Sequence, residues 1–193
     1  MAFVHPGHAL STVLSLFDQY PQGAFICEEG QKPISYASAI RLPGPLALQQ
    51  HEWSAATSEG TGDAHDPAAN WLYVSRMLLT AAPGHQSLGP ELWPLLASLK
   101  SLAVSQGLEG LAVALPFPGY RERSGTAAFH RQCLADGIRK TGRPHLETMG
   151  PSVTINIALQ MGFRHEAALP GYLGNHRNFA LMVWRTGDAD ALP

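Results

Sequence analysis

The segment Trp71-Leu72-Tyr73-Val74-Ser75-Arg76-Met77-Leu78-Leu79-Thr80 is almost continuously apolar. A run without polar alternation predicts a strand that is covered on both faces of a sheet. A loop with two glycines follows over residues 81–89, and Pro90 suits the first position of the helix after it. A second apolar run, from Leu111 to Leu115, predicts another buried strand. This strand–loop–helix–strand unit is the centre of the predicted domain.

The remaining segments add helices and strands on both sides of this unit. Apolar spacing, with glycine or proline at the ends, predicts three further helices over residues 8–20, 127–138 and 153–161. Short apolar runs predict two strand pairs, 24–27 with 34–42 and 163–170 with 178–184.

The order of these elements predicts an α+β fold, with a mixed sheet flanked by helices. Residues 43–70 show no periodicity, and a loop of that length inside a compact domain is usually functional or mobile. We expect residues 1–193 to form one domain, with residues 186–193 as a flexible tail.

Composition excludes several classes of protein. The chain has 193 residues, of which 45% are hydrophobic, and a formal net charge of −2, which argues against disorder and against general binding of nucleic acid. No apolar run approaches the roughly 18 residues of a membrane span, and the N-terminus lacks the pattern of a secretory signal. Cys27 and Cys133 are the only cysteines and form no disulfide framework. We therefore expect a cytoplasmic protein with neither a membrane nor a nucleic acid as partner.

The loop between the two buried strands carries a resemblance to a known family. Backbone N–H groups around a helix N-terminus can bind an anion. The end of this loop and the start of the helix read Gln86-Ser87-Leu88-Gly89-Pro90-Glu91. At its first and fourth positions this sequence resembles the Gln/Arg-x-x-Gly-x-Gly/Ala loop with which the GNAT acyltransferase superfamily holds the pyrophosphate of acyl-coenzyme A, and Glu91 occupies the sixth position.

The C-terminal half extends the resemblance. Gly162-Phe163 after a helix, then Gly171-Tyr172 and a strand ending at Val183-Trp184, are similar to the same family. Two segments, His51-Glu52-Trp53 and Leu115-Pro116-Phe117-Pro118-Gly119-Tyr120, are similar to one branch of it. That branch contains bacterial GNAT proteins and the GNAT-like acyl-loading or decarboxylating domains of polyketide synthases. The resemblance covers about residues 20–185 and implies a GNAT-like fold with a mostly antiparallel central sheet.

The resemblance also implies the substrates and the groups that bind them. Acetyl-CoA or another acyl-CoA would be the co-substrate, and a small-molecule amine would be the acceptor. The thioester arm would pair with the backbone of Leu78, Leu79 and Thr80. The loop contacts to the cofactor would come from His85, Gln86, Ser87, Leu88 and Gly89. A backbone N–H would stabilise the oxyanion.

Three positions depart from the family pattern. Glu91 would place a carboxylate in the first turn of the helix, where at roughly 4 Å it repels a phosphate by about 4 kcal/mol at an effective dielectric constant near 20. Even half of that repulsion lowers the affinity by more than about tenfold. Ala158 stands where many GNAT enzymes carry a Tyr general acid and where the polyketide-synthase branch carries a His. Leu173 stands where that branch carries an Arg.

The candidate catalytic residues are His51, Glu52 and Tyr120. A His beside a carboxylate can act as a general base near neutral pH. Tyr120 follows a strand end, where ligand clefts open in α/β folds. Arg76 interrupts a buried strand, where an unpaired cation is costly, so we expect it to meet a carboxylate or to face the cleft. Tyr172 could also act as an acid, but packing in a hairpin is the stronger interpretation of this residue.

No metal site is predicted. The His and acidic residues of segment 43–70 match no closed zinc pattern in their spacing.

Three functions remain open from the sequence. The first is acyl transfer from acyl-CoA to an amine by direct attack in a ternary complex. The second is a GNAT-fold binding or partner module without the chemistry, which Glu91 and Ala158 favour. The third is acyl transfer from an acyl carrier protein, whose phosphopantetheine arm lacks the adenosine pyrophosphate and so would not meet Glu91. A homodimer is also left open.

Overall fold

One mixed sheet of six strands organises the residues that the structure, a computed structural model, describes: 10–79, 89–116, 153–174 and 179–187. The strands are β1 Ala24–Glu29, β2 Lys32–Leu42, β3 Trp71–Leu79, β4 Gly110–Pro116, β5 Arg164–Leu169 and β6 Phe179–Arg185. The helices are α1 Leu10–Gln19, α2 Gly44–Leu48, α3 Trp53–Thr57, α4 Gly89–Ser105 and α5 Val153–Gln160, with a short 3₁₀ helix at Pro21–Gly23.

The strand order in the sheet is β1-β2-β3-β4-β6-β5. Every neighbouring pair is antiparallel except β3 and β4, which run parallel. Parallel neighbours need a crossover connection, and α4 lies in the connection between β3 and β4. The predicted α+β fold, with a mixed and mostly antiparallel sheet flanked by helices, is therefore confirmed.

The observed elements lie close to the predicted ones. The first helix, both strand pairs, the central unit and α5 each begin and end within a few residues of the predictions. The segment 43–70 differs, because it contains α2 and α3. Each of these helices has five residues, which is too few to show a helical repeat in the sequence. The predicted helix over residues 127–138 lies outside the described residues.

Apolar side chains pack on both faces of the sheet. On one face, α4 and α5 contribute to a cluster that includes Leu72 and Val74 of β3. On the other face, α1, α2 and α3 contribute to a cluster that includes Trp71 and Tyr73. The almost continuously apolar run of β3 is thus buried on both sides, as predicted. None of the helices in the described residues is both long and apolar enough to cross a membrane.

A β-bulge interrupts β3 at Ser75. In the pairing with β2, Ser38 lies opposite Arg76 and Ala39 lies opposite Val74, so Ser75 is an extra residue. Side chains alternate between the two faces along a strand, and an extra residue shifts that alternation. Arg76 thereby lies on the α3 face of the sheet rather than on the α4 face with Val74.

The loop that precedes β3 folds back over the sheet and is held at several points. The Arg41 guanidinium donates to the carbonyl of Ala69. The backbone N–H of Trp53 donates to the carbonyl of Tyr172 at 2.9 Å, and its indole N–H donates to the carbonyl of Ser75 at 2.6 Å. These bonds hold α3 against the bulge of β3 and against the connection between β5 and β6.

Two hydrogen bonds hold the residue that follows β6. Thr186 donates from its backbone N–H to the carbonyl of Glu109 at 2.9 Å and from its hydroxyl to the carbonyl of Leu108 at 2.6 Å. Residues 188–193, most of the tail predicted to be flexible, lie outside the described residues.

Candidate functional site

The two central strands diverge and leave a cleft between them. Within the described residues, β3 and β4 pair only over Trp71–Tyr73 and Gly110–Ala112, at one end of the strands. Since β2 follows β3 as far as Leu79 and β6 follows β4 as far as Pro116, the two halves of the sheet separate beyond this short contact. The space that protein atoms leave empty in the cleft is ≈ 580 Å³, a volume that includes the solvent at its open side.

The wall of the cleft is mainly apolar, and four side chains bring a hydroxyl or a charge to it. These side chains are Ser75, Arg76, Thr154 and Tyr172. Trp53 of α3 and Leu173 also line it. Ligand sites commonly combine an apolar wall with a few such polar groups.

Arg76 carries the charge in this wall. The residue is 6% exposed, and neither of its terminal nitrogens, Nη1 and Nη2, has a hydrogen-bond partner among the residues that the structure describes. Burial lowers the pKa of its guanidinium, and Tyr36 on the neighbouring strand partly opposes that shift. The group nevertheless stays charged at neutral pH. Of the two environments expected for Arg76, a carboxylate or the cleft, the described residues provide the cleft.

His51, Tyr73 and Tyr172 form a chain of hydrogen bonds that ends at the cleft. His51 Nδ1 lies 2.7 Å from the carbonyl oxygen of Gln49, and His51 Nε2 lies 2.7 Å from the hydroxyl of Tyr73. The hydroxyl of Tyr73 also bonds to the hydroxyl of Tyr172. Tyr172 lines the cleft, whereas His51 is half-buried. The chain therefore connects the cleft wall with a residue nearer the surface.

The carbonyl of Gln49 sets the direction of this chain. A carbonyl oxygen only accepts, so His51 carries its proton on Nδ1 and the neutral ring accepts at Nε2. Tyr73 therefore donates to His51, and Tyr172 donates to Tyr73.

The pKa shifts keep all three groups neutral. Burial lowers the pKa of His51 below its ordinary value of 6.5, although the bond to Gln49 opposes this. Burial also raises the pKa of Tyr73 and of Tyr172 above the ordinary 10.0. At pH 7 the imidazole is thus ready to accept a proton, while both phenols keep theirs.

Helix α5 contributes a hydroxyl to the same wall. Thr154 is 6% exposed, and its Oγ1 has no hydrogen-bond partner. Ala158 lies one helical turn further on the same face of α5 and is fully buried in the core cluster. The side chain at position 158 supplies no acid, so Thr154 is the hydroxyl that α5 brings to the cleft.

The structure separates the predicted catalytic residues. His51 belongs to the hydrogen-bonded chain. Glu52 is exposed at the residue before α3 and does not line the cleft. Tyr120 lies outside the described residues.

The predicted cofactor-binding residues are described only in part. Leu79 lines the cleft, and Leu78 is half-buried next to it without lining the cleft. Gly89 is the first residue of α4. The others lie outside the described residues, namely Thr80, His85, Gln86, Ser87 and Leu88.

Glu91 lies in the first turn of α4. The residue is 3% exposed, and its Oε2 has no hydrogen-bond partner. The helix dipole stabilises a carboxylate at this end of a helix. The carboxyl group of Glu91 is therefore buried at the helix end where the family resemblance implies a pyrophosphate.

Sequence reasoning missed Tyr73 and Thr154. Tyr73 lies inside an apolar run and so has the pattern of a core residue. The available signal was its hydroxyl, because a buried Tyr usually bonds through that group. Among the described residues, no group of three or more His, Cys, Asp or Glu side chains could hold a metal ion.

Two GNAT-like proteins are among the solved structures that are similar to this chain. One is the GphF GNAT-like decarboxylase in complex with isobutyryl-CoA, with a TM-score of 0.59 and 14% sequence identity over 95% of this chain and 88% of that chain. The other is the loading GNATL domain of CurA from Lyngbya majuscula, with a TM-score of 0.65 and 15% identity over 96% of this chain and 87% of that chain. No protein-family model matches the sequence, and no curated protein matches it significantly.

At such low identity these likenesses establish the fold and leave the activity open. They agree with the resemblance that the sequence carries. The protein has the GNAT-like fold.

Proposed function

We propose that this protein binds an acyl thioester in the cleft between β3 and β4 and transfers its acyl group to a small amine. The observation that carries the proposal is the divergence of the parallel pair beyond Tyr73 and Ala112. In a closed sheet the facing backbone N–H and C=O groups of two strands pair with each other. Where the strands diverge, an extended ligand with amide groups can pair with them in the way that an added strand does.

A pantetheine arm suits such a cleft. The arm is extended and carries two amides that would pair with the backbone of β3 near Leu78 and Leu79. Its methylene groups would contact the apolar wall. The thioester carbonyl would then lie deeper in the cleft, beside Thr154 and Tyr172, which both belong to the wall.

Two donors of the thioester are compatible with this proposal. The similar GphF structure contains isobutyryl-CoA, which supports acyl-CoA. The buried carboxylate of Glu91 opposes the pyrophosphate of CoA but not a phosphopantetheine arm on an acyl carrier protein. Glu91 therefore favours the carrier protein.

The chain of hydrogen bonds from Tyr172 to His51 can accept the proton that the amine loses. The amine nitrogen loses a proton to the hydroxyl of Tyr172 as it attacks the thioester carbonyl. Tyr172 in turn gives its own proton to the hydroxyl of Tyr73, and Tyr73 gives its own proton to Nε2 of His51. Collapse of the tetrahedral adduct forms the amide, breaks the C–S bond and returns a proton along the chain to the thiolate. The hydroxyl of Thr154 can donate to the oxyanion.

A binding module without chemistry is the second candidate function. Two observations favour it, since Ala158 supplies no acid and Glu91 opposes the cofactor. Binding and transfer must therefore be measured separately.

Calorimetric titration tests the binding step. We expect wild-type protein to bind acetyl-pantetheine and to bind acetyl-CoA more weakly. Glu91→Gln removes the charge and keeps the size of the side chain, so it should strengthen acetyl-CoA binding by roughly tenfold or more without changing acetyl-pantetheine binding. Glu28→Gln, at an exposed carboxylate on β1, is the matched control and should change neither affinity.

Release of free thiol tests the transfer step. Thiol that appears from acetyl-pantetheine only in the presence of a primary amine supports acyl transfer. Binding without amine-dependent release would identify a binding module instead. If neither thioester binds to wild type or to Glu91→Gln, the proposal is wrong.

A further inference from the structure

Arg76 is a buried cation with no counter-ion among the described residues. The residue is 6% exposed, and both terminal nitrogens lack hydrogen-bond partners. Within the part of the chain that the structure describes, no ion pair joins Arg76 to a carboxylate, since Glu166 pairs with Arg185 and Glu109 bonds to Asn70 and Trp71. Removing an unpaired charge from water destabilises a fold. A charge that remains in such a place indicates that a ligand completes the pairing.

The surrounding residues hold Arg76 in this position. The bulge at Ser75 directs the side chain of Arg76 to the α3 face of the sheet. The bulge itself is held by the indole of Trp53, which donates to the Ser75 carbonyl at 2.6 Å, and by the Ser75 hydroxyl, which donates to the Ser38 carbonyl at 3.1 Å. Gly60 leaves room for both large side chains, since a Cβ atom there would lie 2.9 Å from Nη2 of Arg76 and 2.6 Å from Cη2 of Trp53.

The chemistry of a guanidinium selects a small anion with two oxygens. Its two terminal nitrogens donate in parallel to a carboxylate or to a phosphate. A pantetheine arm separates the phosphates of the donor from its thioester. Because Arg76 and Tyr172 line the same cleft, a thioester beside Tyr172 places those phosphates well away from Arg76. The anion that remains is a carboxylate on one of the two reacting molecules.

We propose that Arg76 binds a carboxylate that belongs either to the acyl chain or to the amine acceptor, and that it thereby selects the substrate. This inference rests on the proposed function, because both sources are partners in acyl transfer. A thioester with a carboxylated acyl chain and an amino-acid acceptor are the two chemical classes that satisfy it.

Paired ligands that differ only in the carboxylate test the proposal by calorimetry. The first pair is succinyl-pantetheine and butyryl-pantetheine. The second pair is alanine and alaninamide, each added after butyryl-pantetheine. In wild type we expect the carboxylate ligand of one pair to bind at least roughly tenfold more tightly, as a charge-assisted bidentate bond does.

Three variants locate the effect. Arg76→Met should abolish the preference and should fold, because it removes a buried unpaired charge, and Arg76→Lys should keep only part of it. Arg185→Met makes the same change of charge at a residue whose side chain is 47% exposed and paired with Glu166, and it should keep the full preference.

The outcomes separate this inference from the proposed function. Equal affinity within both pairs, with the thioesters bound, overturns the carboxylate site and leaves thioester binding intact. A preference that survives in Arg76→Met overturns it as well. If no thioester binds, the proposed function fails, and thermal melting decides the site alone. Free succinate that stabilises wild type but not Arg76→Met supports the site, whereas no stabilisation overturns it.

Discussion

At His51 the local sequence and the tertiary contacts select different partners. In the sequence, the neighbour that suggested acid–base chemistry is Glu52, which is exposed and does not line the cleft. In the fold, the imidazole bonds to Tyr73, 22 residues further along the chain, and Tyr73 bonds to Tyr172, 99 residues beyond that. A chemical role for His51 therefore depends on two phenols rather than on the adjacent carboxylate.

Tyr73→Phe removes the middle hydroxyl of this chain. We expect kcat/KM for acyl transfer to fall by about 10²–10⁴-fold, the range for the loss of a general acid–base group. The free energy of unfolding should fall by about 1–3 kcal/mol, since two buried partners lose a bond. Steady-state kinetics and urea denaturation measure the two effects.

Tyr20→Phe is the matched control for this change. The hydroxyl of Tyr20 bonds to Gln106 at 2.5 Å and Tyr20 does not line the cleft, so its loss should leave transfer unchanged. A Tyr73→Phe protein with wild-type kcat/KM would show that the proton leaves by another route.

His51 also sets the expected pH dependence. Because burial lowers its pKa below 6.5, the ring accepts a proton at neutral pH and is already protonated once the pH falls below its folded-state pKa. kcat/KM should therefore rise with pH in the acid range and level off by about pH 6.5, and His51→Gln should lose this acid limb. An identical profile in His51→Gln would exclude the ring as the titrating group.

The free energy of unfolding should change with pH in the same direction as kcat/KM. The unfolded chain protonates His51 at a higher pH than the folded chain does, so acidification below 6.5 lowers the free energy of unfolding.

At the scale of elements, the loop before β3 acts as part of the cleft wall. Its residues place the ring of Trp53 against the bulge of β3. Gly60, with a φ of +83°, lies against both Trp53 and Arg76. The loop thus contributes packing that the irregular composition of segment 43–70 does not reveal.

Gly60→Ala tests this contact. The new Cβ would lie within 3.0 Å of Trp53 and of Arg76, whereas Gly30→Ala, at a φ of +55°, would meet nothing within 4 Å. Both variants carry the strain of a left-handed backbone, but only Gly60→Ala must also displace the wall. We expect Gly60→Ala to lose at least about 1 kcal/mol more stability than Gly30→Ala and to weaken acetyl-pantetheine binding. Equal effects of the two changes on stability and binding would show that the contact is unimportant.

At the scale of the whole molecule, the two halves of the sheet are joined by a short contact between β3 and β4. β3 and β4 share only three residue pairs in the described chain, Trp71–Tyr73 with Gly110–Ala112. Trp71 packs directly over Gly110, where an added Cβ would lie 2.6 Å from its ring and 2.2 Å from the backbone carbonyl of Trp184. The absence of a side chain at Gly110 allows β3, β4 and β6 to meet.

Gly110→Ala should therefore disturb the whole sheet. Backbone atoms cannot move aside cheaply, and overpacking of this kind costs about 1–3 kcal/mol or more. Gly187→Ala, which would meet nothing within 4 Å, is the control and should be neutral. Thermal melting compares the stabilities of the two variants. A Gly110→Ala protein as stable as wild type would contradict the view that close packing at Gly110 holds the two halves of the sheet together.

The sequence by itself determined the type of fold and most of the elements that the structure describes, although not the short helices α2 and α3. The apolar runs of β3 and β4, and the apolar face of α4 between them, are local patterns, and local patterns predict strands and helices. Their order carried the resemblance that the solved structures support at the level of the fold.

Only the tertiary structure decided where the candidate site lies and which side chains line it. The parting of β3 from β4 after three residue pairs, the bulge that turns Arg76 to the other face, and the bonds from His51 to Tyr172 all join residues far apart in the chain. Periodicity reports the face on which a residue lies only while the alternation is regular. The extra residue at Ser75 makes the alternation irregular, so periodicity assigns Arg76 to the wrong face. The hydrogen bonds of a buried phenol such as Tyr73 depend on which segment of the chain packs against it.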